Sequence, residues 1–325
     1  MKAIRAHEWC GPRDLVIDEI ERPQPGDDQI LVRVNAAGLN FPDLLIITGK
    51  YQFKPALPFS PGFEIAGTVE QRGARVSKFS EGQHVIAQVP VGGFAEYAVA
   101  EAANAYPKPE SMSDEEAAVF PLVYQTAYFG LAYRGALKKG ETVLIHSAAG
   151  GVGLAAVQIA RALGAGKIIG TAGSDDKLAL VRDNGADIVL NYQTEDFVDA
   201  VKRETNGHGA DVIYDPVGGE IGERSTKCIA FEGRLVIVGF TSGKFSNFVS
   251  NHVLVKNYSV VGLHWGSYRH NNPAKIEQGW DELLLLYKTG MLKPLIGGRY
   301  HMEHVADAME FLASRKAVGK IVLHW

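Results

Sequence analysis

The segment Ser147-Ala148-Ala149-Gly150-Gly151-Val152-Gly153 has the clearest chemical meaning in this chain. It follows an apolar run, Thr142-Val143-Leu144-Ile145-His146, and opens a stretch with apolar residues at helical spacing, Val152 to Leu163. A glycine turn at a strand-to-helix junction lets backbone touch a pyrophosphate, and the helix N-terminus then faces the anion. The dinucleotide fingerprint G-x-G-x-x-G has Ala148 at its first position here, with Gly150 and Gly153 at the other two. Each place has its own demand. A small residue allows the turn, Gly150 admits the phosphate, and Gly153 lets helix and strand lie close. Gly151 and Val152 fall inside the same cradle. A glycine run alone is equally a structural turn; the further βα units behind it select the nucleotide reading.

The choice of nucleotide is read at the end of the second strand. An NAD site wants an acid there to hold the ribose 2′-OH. Ile168-Ile169-Gly170-Thr171-Ala172 ends without one, and Gly173, Ser174 and Lys177 follow. A missing acid leaves room for a 2′-phosphate, which a lysine neutralises as a point charge. Asp175 and Asp176 intervene as first-turn residues expected to cap the helix and face solvent. Tyr192, just past the third strand, is placed to cover the adenine–phosphate end. The plainer readings are a surface lysine and a packed tyrosine. The expected cofactor is NADPH.

Other chemistries are excluded or unsupported. With two cysteines, Cys10 and Cys228, and no C-x-x-C spacing, neither a disulfide framework nor a cysteine zinc lobe can be built. A net charge of −4 gives no pull toward nucleic acid or an anionic membrane. Apolar residues at 46% and charged residues at 22% match folded soluble proteins, so disorder is not the main story. The first residues lack the apolar core of a signal peptide. The uncharged stretch Thr142 to Ala160 carries His146, Ser147, Gln158 and several glycines, a poor membrane span. A soluble, cytoplasmic protein is expected.

These residues need a scaffold. The 325 residues suggest about two domains at roughly 150 residues each. The first part is rich in Val, Ile, Gly and Pro. Ile30–Val34, Ile65–Glu70 and His84–Ala87 are short strand-like runs bounded by turns, as in a β-rich, partly barrel-like domain. Ser113-Asp114-Glu115-Glu116 is a capping box that starts a helix. From about residue 120 strand and helix alternate. Strands are expected at 142–146, 167–171, 188–190, 211–214, 234–238 and 259–263, and helices at 152–163, 177–184, 195–205 and from 220. Such alternation makes a parallel sheet with helices on both faces. The tail adds helices at 278–288 and 305–314 and a last strand at 320–323.

Several motifs in fixed order resemble the medium-chain dehydrogenase/reductase superfamily, and within it the zinc-free quinone oxidoreductase (ζ-crystallin-like) branch. They are Ala37-Gly38-Leu39-Asn40-Phe41-Pro42-Asp43, Gly49-Lys50-Tyr51, Pro58 through Gly67, the glycine turn, Asp215-Pro216-Val217-Gly218-Gly219, Gly233 through Gly239, and Gly319-Lys320-Ile321-Val322-Leu323. The resemblance implies an α/β protein. A GroES-like catalytic domain would comprise 1–120 and 265–325, with a Rossmann doubly wound parallel sheet at 121–264. Zinc-dependent members of the superfamily carry ligands at positions that are Asn40, Phe63 and about Leu122 here, a set that cannot form a catalytic zinc shell. His301 with His304, and His264 with His270, read as solvent or packing histidines.

The resemblance further implies a hydride donor aligned with a good acceptor, a quinone, in a dry, flat slot. Asn40 and Tyr51 would sit at the nicotinamide edge as catalytic residues, unless Asn40 is simply a turn residue. Val238, Gly239, Phe240, Leu263, Trp265 and Lys320 would line the cofactor. Leu45 stands where bacterial quinone reductases often have Tyr, which disfavours small polar quinones. Val261 through Gly266 resembles a quinone-oxidoreductase-like subgroup, although Trp265 also suits a core. The alternatives are an NADPH-dependent reductase of enones or enoyl-thioesters, and a nucleotide-binding structural protein without turnover. A homodimer is expected through the Rossmann domain, with Lys244-Phe245-Ser246-Asn247-Phe248-Val249 as a strand near the two-fold axis.

Overall fold

The longest strand, Gln29–Leu39, organises the first half of the chain. It pairs antiparallel with Glu64–Arg72, Tyr97–Glu101 and Lys320–His324. The run expected at 30–34 continues through Ala36, Ala37 and Gly38 because small side chains suit a crowded site. A Cβ on Gly38 would lie 2.4 Å from the Ala118 carbonyl. The sheet extends through His84–Gln88 to Ala105–Pro107 on one side, and from Lys320–His324 to a parallel Ile296–His301 on the other. Its core holds Ile30, Val32, Leu39, Ile65, Val85, Phe94, Ile321 and Leu323. A separate pair, Lys2–Arg5 and Val16–Glu19, was not evident in the sequence.

Two helices of this unit have well-defined starts. Asp114–Val119 begins as expected: Glu116 N donates to Ser113 Oγ at 3.2 Å, and Ser113 N donates to Glu116 Oε2 at 3.0 Å. Phe41–Ile47 is a helix that the sequence pattern did not mark; Pro42 sits in its first turn, where no backbone N–H is needed.

The second half forms a six-stranded sheet in which every pairing is parallel. Its spatial order is Ile188–Asn191, Lys167–Ala172, Thr142–Ile145, Ala210–Asp215, Ile229–Ile237, Ser259–Gly262. Counted along the chain this is 3-2-1-4-5-6, the Rossmann order, so the α/β expectation of a GroES-like domain plus a doubly wound sheet holds. All six strands appear, and the fifth starts earlier than expected, at Ile229.

The computed structural model describes residues 1–325, in two compact units: 1–122 with 294–325, and 123–293. The return to the first unit thus comes at Pro294, not at 265. The reason is the helix Pro273–Lys288, whose Trp280 and Leu283 are buried and whose Gly279 lies against Phe129 and Tyr128. Tyr128 also hydrogen-bonds Glu282. One expectation is corrected. Residues 244–249 form no strand and pair with nothing along the sheet; Phe248 packs inward against the core while Phe245 and Val249 are exposed. No helix is long and apolar enough to cross a membrane.

Candidate functional site

In the second unit the sequence-selected residues gather at the C-terminal ends of the parallel strands, where open α/β sheets bind ligands. The sharp turn after Thr142–Ile145 is made by Ser147, whose φ of 51° is left-handed, rather than by the small Ala148. Gly150 then caps the helix Gly151–Ala162 in an extended conformation, with Gly151, Val152 and Gly153 in its first turn. The two fingerprint glycines differ. A Cβ on Gly153 would lie 2.2 Å from Ser147 O, so the helix–strand contact itself excludes a side chain. A Cβ on Gly150 would come no nearer than 3.4 Å to any protein atom. The bare backbone at Gly150 therefore serves something other than this chain's packing. Its residues fit a dinucleotide pyrophosphate.

The second strand ends at Ala172, and Gly173, Ser174, Lys177 and Tyr192 converge there. Tyr192 N donates to Ala172 O at 3.2 Å, and a Cβ on Gly173 would lie 2.5 Å from the Tyr192 hydroxyl. Ser174 stands at the N-cap position of the helix Asp175–Asp183 without a side-chain capping bond. Lys177 is half-buried, and burial lowers its pKa, so it is not a fully solvated helix lysine. The acid nearest the strand end, Asp175, accepts from Asn191 Nδ2 at 2.7 Å. It is exposed and tied to the third strand, which leaves the strand end itself without a carboxylate.

Val238 N donates to Asp215 O at 2.9 Å, so Val238-Gly239-Phe240 continues past the fifth strand beside the end of the fourth. Phe240 packs edge-on against Phe245, with ring centres 4.8 Å apart. Leu263 and Trp265 follow the sixth strand and are both buried. Trp265 lies beneath Arg269, and its indole N–H has no partner.

Sequence reasoning missed the group behind the glycine turn. His146 is buried between Thr171 Oγ1, 3.1 Å from Nδ1, and Ser225 Oγ, 2.8 Å from Nε2. Because Ser225 Oγ donates its proton to Ile221 O, Nε2 must carry the imidazole proton. Burial pushes the pKa of His146 down to about 4, against the pull of the Asp215 charge. Asp215 Oδ1 accepts the backbone N–H groups of Val217 and Gly218. Their signal was polar residues at the ends of apolar strands, which alternation alone does not rank.

In the first unit, Tyr51 follows the helix Phe41–Ile47, and its ring centre is 5.6 Å from that of Phe63. Asn40 and Lys320 are placed otherwise than expected. Lys320 is only 5% exposed, and its ammonium donates to Leu39 O, Asn40 Oδ1 and Glu64 Oε1 at 2.8, 2.5 and 3.0 Å. All three of its hydrogens are committed, so Lys320 has none for a cofactor. Asn40 Nδ2 donates to Glu64 Oε1 and Gly38 O, so the Asn40 amide is likewise occupied within this unit. Asp43, fully buried, has its pKa pushed up to about 7 by desolvation, against the backbone N–H groups of Asn40 and Gly62 and the Lys320 charge. At the three positions where the resemblance places zinc ligands, this chain has a tied amide, a phenyl ring and an aliphatic side chain, with the Lys320 ammonium bonded to the amide. That donor set does not fit a second cation.

Residues 26–110 match the alcohol dehydrogenase GroES-like domain family, and residues 151–283 match the zinc-binding dehydrogenase family. A quinone oxidoreductase-like protein 2 homolog of Nematostella vectensis is 39% identical, with 99% of this chain and 88% of that protein covered. The structure of the Escherichia coli quinone oxidoreductase complexed with NADPH covers 100% of both chains at 32% identity, with a TM-score of 0.94. The CurK enoyl reductase superposes with a TM-score of 0.90 at 30% identity, covering 99% of this chain and 98% of that one. The motifs, the 3-2-1-4-5-6 sheet and these similarities agree: the chain belongs to the quinone oxidoreductase branch of the medium-chain dehydrogenase/reductase superfamily, a group of oxidoreductases.

Proposed function

We propose that this protein is an NADPH-dependent quinone reductase that works without a metal, as a cytoplasmic homodimer. The observation that carries the cofactor reading is the end of the second Rossmann strand. Ala172 stands in the acid position, Asp175 is engaged by Asn191, and half-buried Lys177 shares the site with Gly173, Ser174 and Tyr192. A 2′-phosphate suits that setting and a ribose 2′-OH gains nothing from it. The NADPH complex of the Escherichia coli relative supports the same choice.

When bound, NADPH supplies the reducing equivalents. The chain's own contribution is binding and orientation. Gly150 to Gly153 receive the pyrophosphate, and Lys177 neutralises the 2′-phosphate. Val238 to Phe240, Leu263 and Trp265 are the remaining cofactor-side residues. Tyr51 and Phe63 offer a flat aromatic acceptor a face to stack on. A quinone needs no metal to polarise it, and after hydride transfer water delivers the one proton that completes the hydroquinone. The domain assignment follows: nucleotide binding in 123–293, acceptor recognition in 1–122 with 294–325. The second reading, an enone or enoyl-thioester reductase, is favoured by the likeness to the CurK enoyl reductase.

The test is NADPH and NADH affinity in wild type and Lys177→Ala. Losing one charge-assisted phosphate contact weakens NADPH by about 1–2 kcal/mol and leaves NADH nearly unchanged. Equal weakening of both, or tighter binding of NADH by wild type, overturns the choice. NADPH consumption with 1,4-naphthoquinone, an enone and a crotonyl-thioester then separates the two substrate readings.

A further inference from the structure

Four polar side chains are sealed in the core of the first unit: Lys320, Asn40, Asp43 and Glu64, the two acids with no exposed surface. An unpaired charge in such a place is strongly destabilising, so a lysine and two carboxyl groups persist only if each is satisfied. Their bonds form one connected path. Glu64 Oε1 accepts from Lys320 Nζ and from Asn40 Nδ2, at 3.0 and 2.8 Å. Glu64 Oε2 accepts from the backbone N of Leu122 at 2.8 Å. Asn40 N donates to Asp43 Oδ2, and Gly62 N donates to Asp43 Oδ1, at 2.8 and 3.0 Å.

The path joins four distant parts of the sequence. They are the end of the strand Gln29–Leu39, the loop entering Glu64–Arg72, the start of the helix Pro121–Tyr128, and the final strand Lys320–His324. It also reaches all three positions where zinc-dependent relatives carry ligands. Asn40 and Leu122 hydrogen-bond Glu64, and Phe63 is its chain neighbour. Phe63 lies between Gly62, which Asp43 holds, and Glu64, which Lys320 holds. Its ring is the one packed on Tyr51.

We propose that the Lys320 ammonium is a resident cation that ties Asn40, Glu64 and Leu122 into one frame and so positions the Phe63–Tyr51 pair for the acceptor. It is a positioning residue, not a cofactor ligand. The acceptor role of that pair rests on the proposed quinone reductase function. The frame is held by a covalently tethered charge. It holds the three segments at fixed spacing without offering a Lewis acid.

The experiment compares wild type, Lys320→Met, Lys320→Ala and the charge-neutral double variant Lys320→Met/Glu64→Gln. Readouts are NADPH affinity, kcat and KM with 1,4-naphthoquinone, and amide hydrogen exchange at Gly62 and Leu122. Lys320→Met is expected to lose at least tenfold in kcat, hold NADPH affinity within twofold, and exchange Gly62 and Leu122 at least tenfold faster. In Lys320→Ala, ethylammonium restores kcat in a saturable way and propanol does not. If the single variants do not fold, the double variant lacks the stranded Glu64 charge; it is expected to fold yet stay slow. The proposal is overturned by an NADPH affinity that falls in step with kcat, by rescue with propanol equal to that with the amine, by unchanged exchange, or by wild-type turnover in the double variant. A wild type that reduces no quinone sinks the functional reading alone, because the exchange rates still judge the frame.

Discussion

Gly150 and Gly153 stand three residues apart in one turn and answer to different physics. Gly153 is required by the protein, since any Cβ there collides with Ser147 O; Gly150 has room on the protein side. Gly153→Ala should therefore lower stability by about 1–3 kcal/mol through overpacking. Gly150→Ala should melt within about 1 °C of wild type and lose NADPH affinity at least tenfold, because its methyl stands where the pyrophosphate approaches. Thermal melts and nucleotide titration of both variants check this, and the reverse pattern would show that the turn is not a phosphate cradle. Asn40, Phe63 and Lys320 yield a second expectation. Treatment with 1,10-phenanthroline should change neither activity nor melting temperature, and elemental analysis should find no stoichiometric zinc. One zinc per chain would refute the metal-free assignment.

At the scale of elements, His146 shows how the glycine turn is braced from behind. It ties the end of the first strand to Thr171 on the second and to Ser225 at the end of the helix Glu220–Ser225. Its folded pKa, about 4, lies below the ordinary 6.5. Below pH 6.5 the unfolded chain takes up a proton that the folded one refuses. The contribution of this site is thus full above pH 6.5 and is lost as pH falls toward 4, to an extent on the order of 3 kcal/mol. Asp43 runs the other way, favouring the folded state at low pH and losing that contribution as pH rises through about 7. Only a difference isolates His146: stability of wild type minus His146→Gln should shrink between pH 7 and pH 4.5, and a constant difference would show the ring is not held neutral. Alternation of apolar runs made the six Rossmann strands legible, because buried parallel strands are continuous and their helices amphipathic. The Lys320 frame was not, because Asn40 and Lys320 lie 280 positions apart and meet only when Ile321 pairs with Leu39. The segment 244–249 misleads because its alternation belongs to a loop that turns Phe248 inward, with no strand beside it.

On the scale of the whole molecule, that same loop bears on assembly. The strand Ser259–Gly262 ends the parallel sheet with only Ile229–Ile237 beside it. Along the chain on either side of the strand end at Ile237 stand Phe231, Phe245, Val249, Leu254 and Val255, each at least 66% exposed. The helix Ser250–Lys256, which carries the last two, buries none of its residues. Large apolar side chains left in water at five positions between 231 and 255 suit a surface that a partner covers. A second copy of the same edge is self-complementary and closes the assembly, which an open end-to-end contact does not. We therefore expect a homodimer through this edge, and light scattering at micromolar concentration should give twice the 35.2 kDa of one chain. The variant that tests the location is Phe245→Asp with Val249→Asp, since both side chains face solvent. It should yield a monomer that keeps its fold. Phe248→Asp is the wrong probe, because Phe248 packs on the core and its loss would disturb that packing as well as an interface. A wild type that scatters as one chain removes the dimer. A dimer that survives the double substitution removes the loop from the two-fold axis and leaves the exposed helix Ser250–Lys256 to be tested through Leu254→Asp.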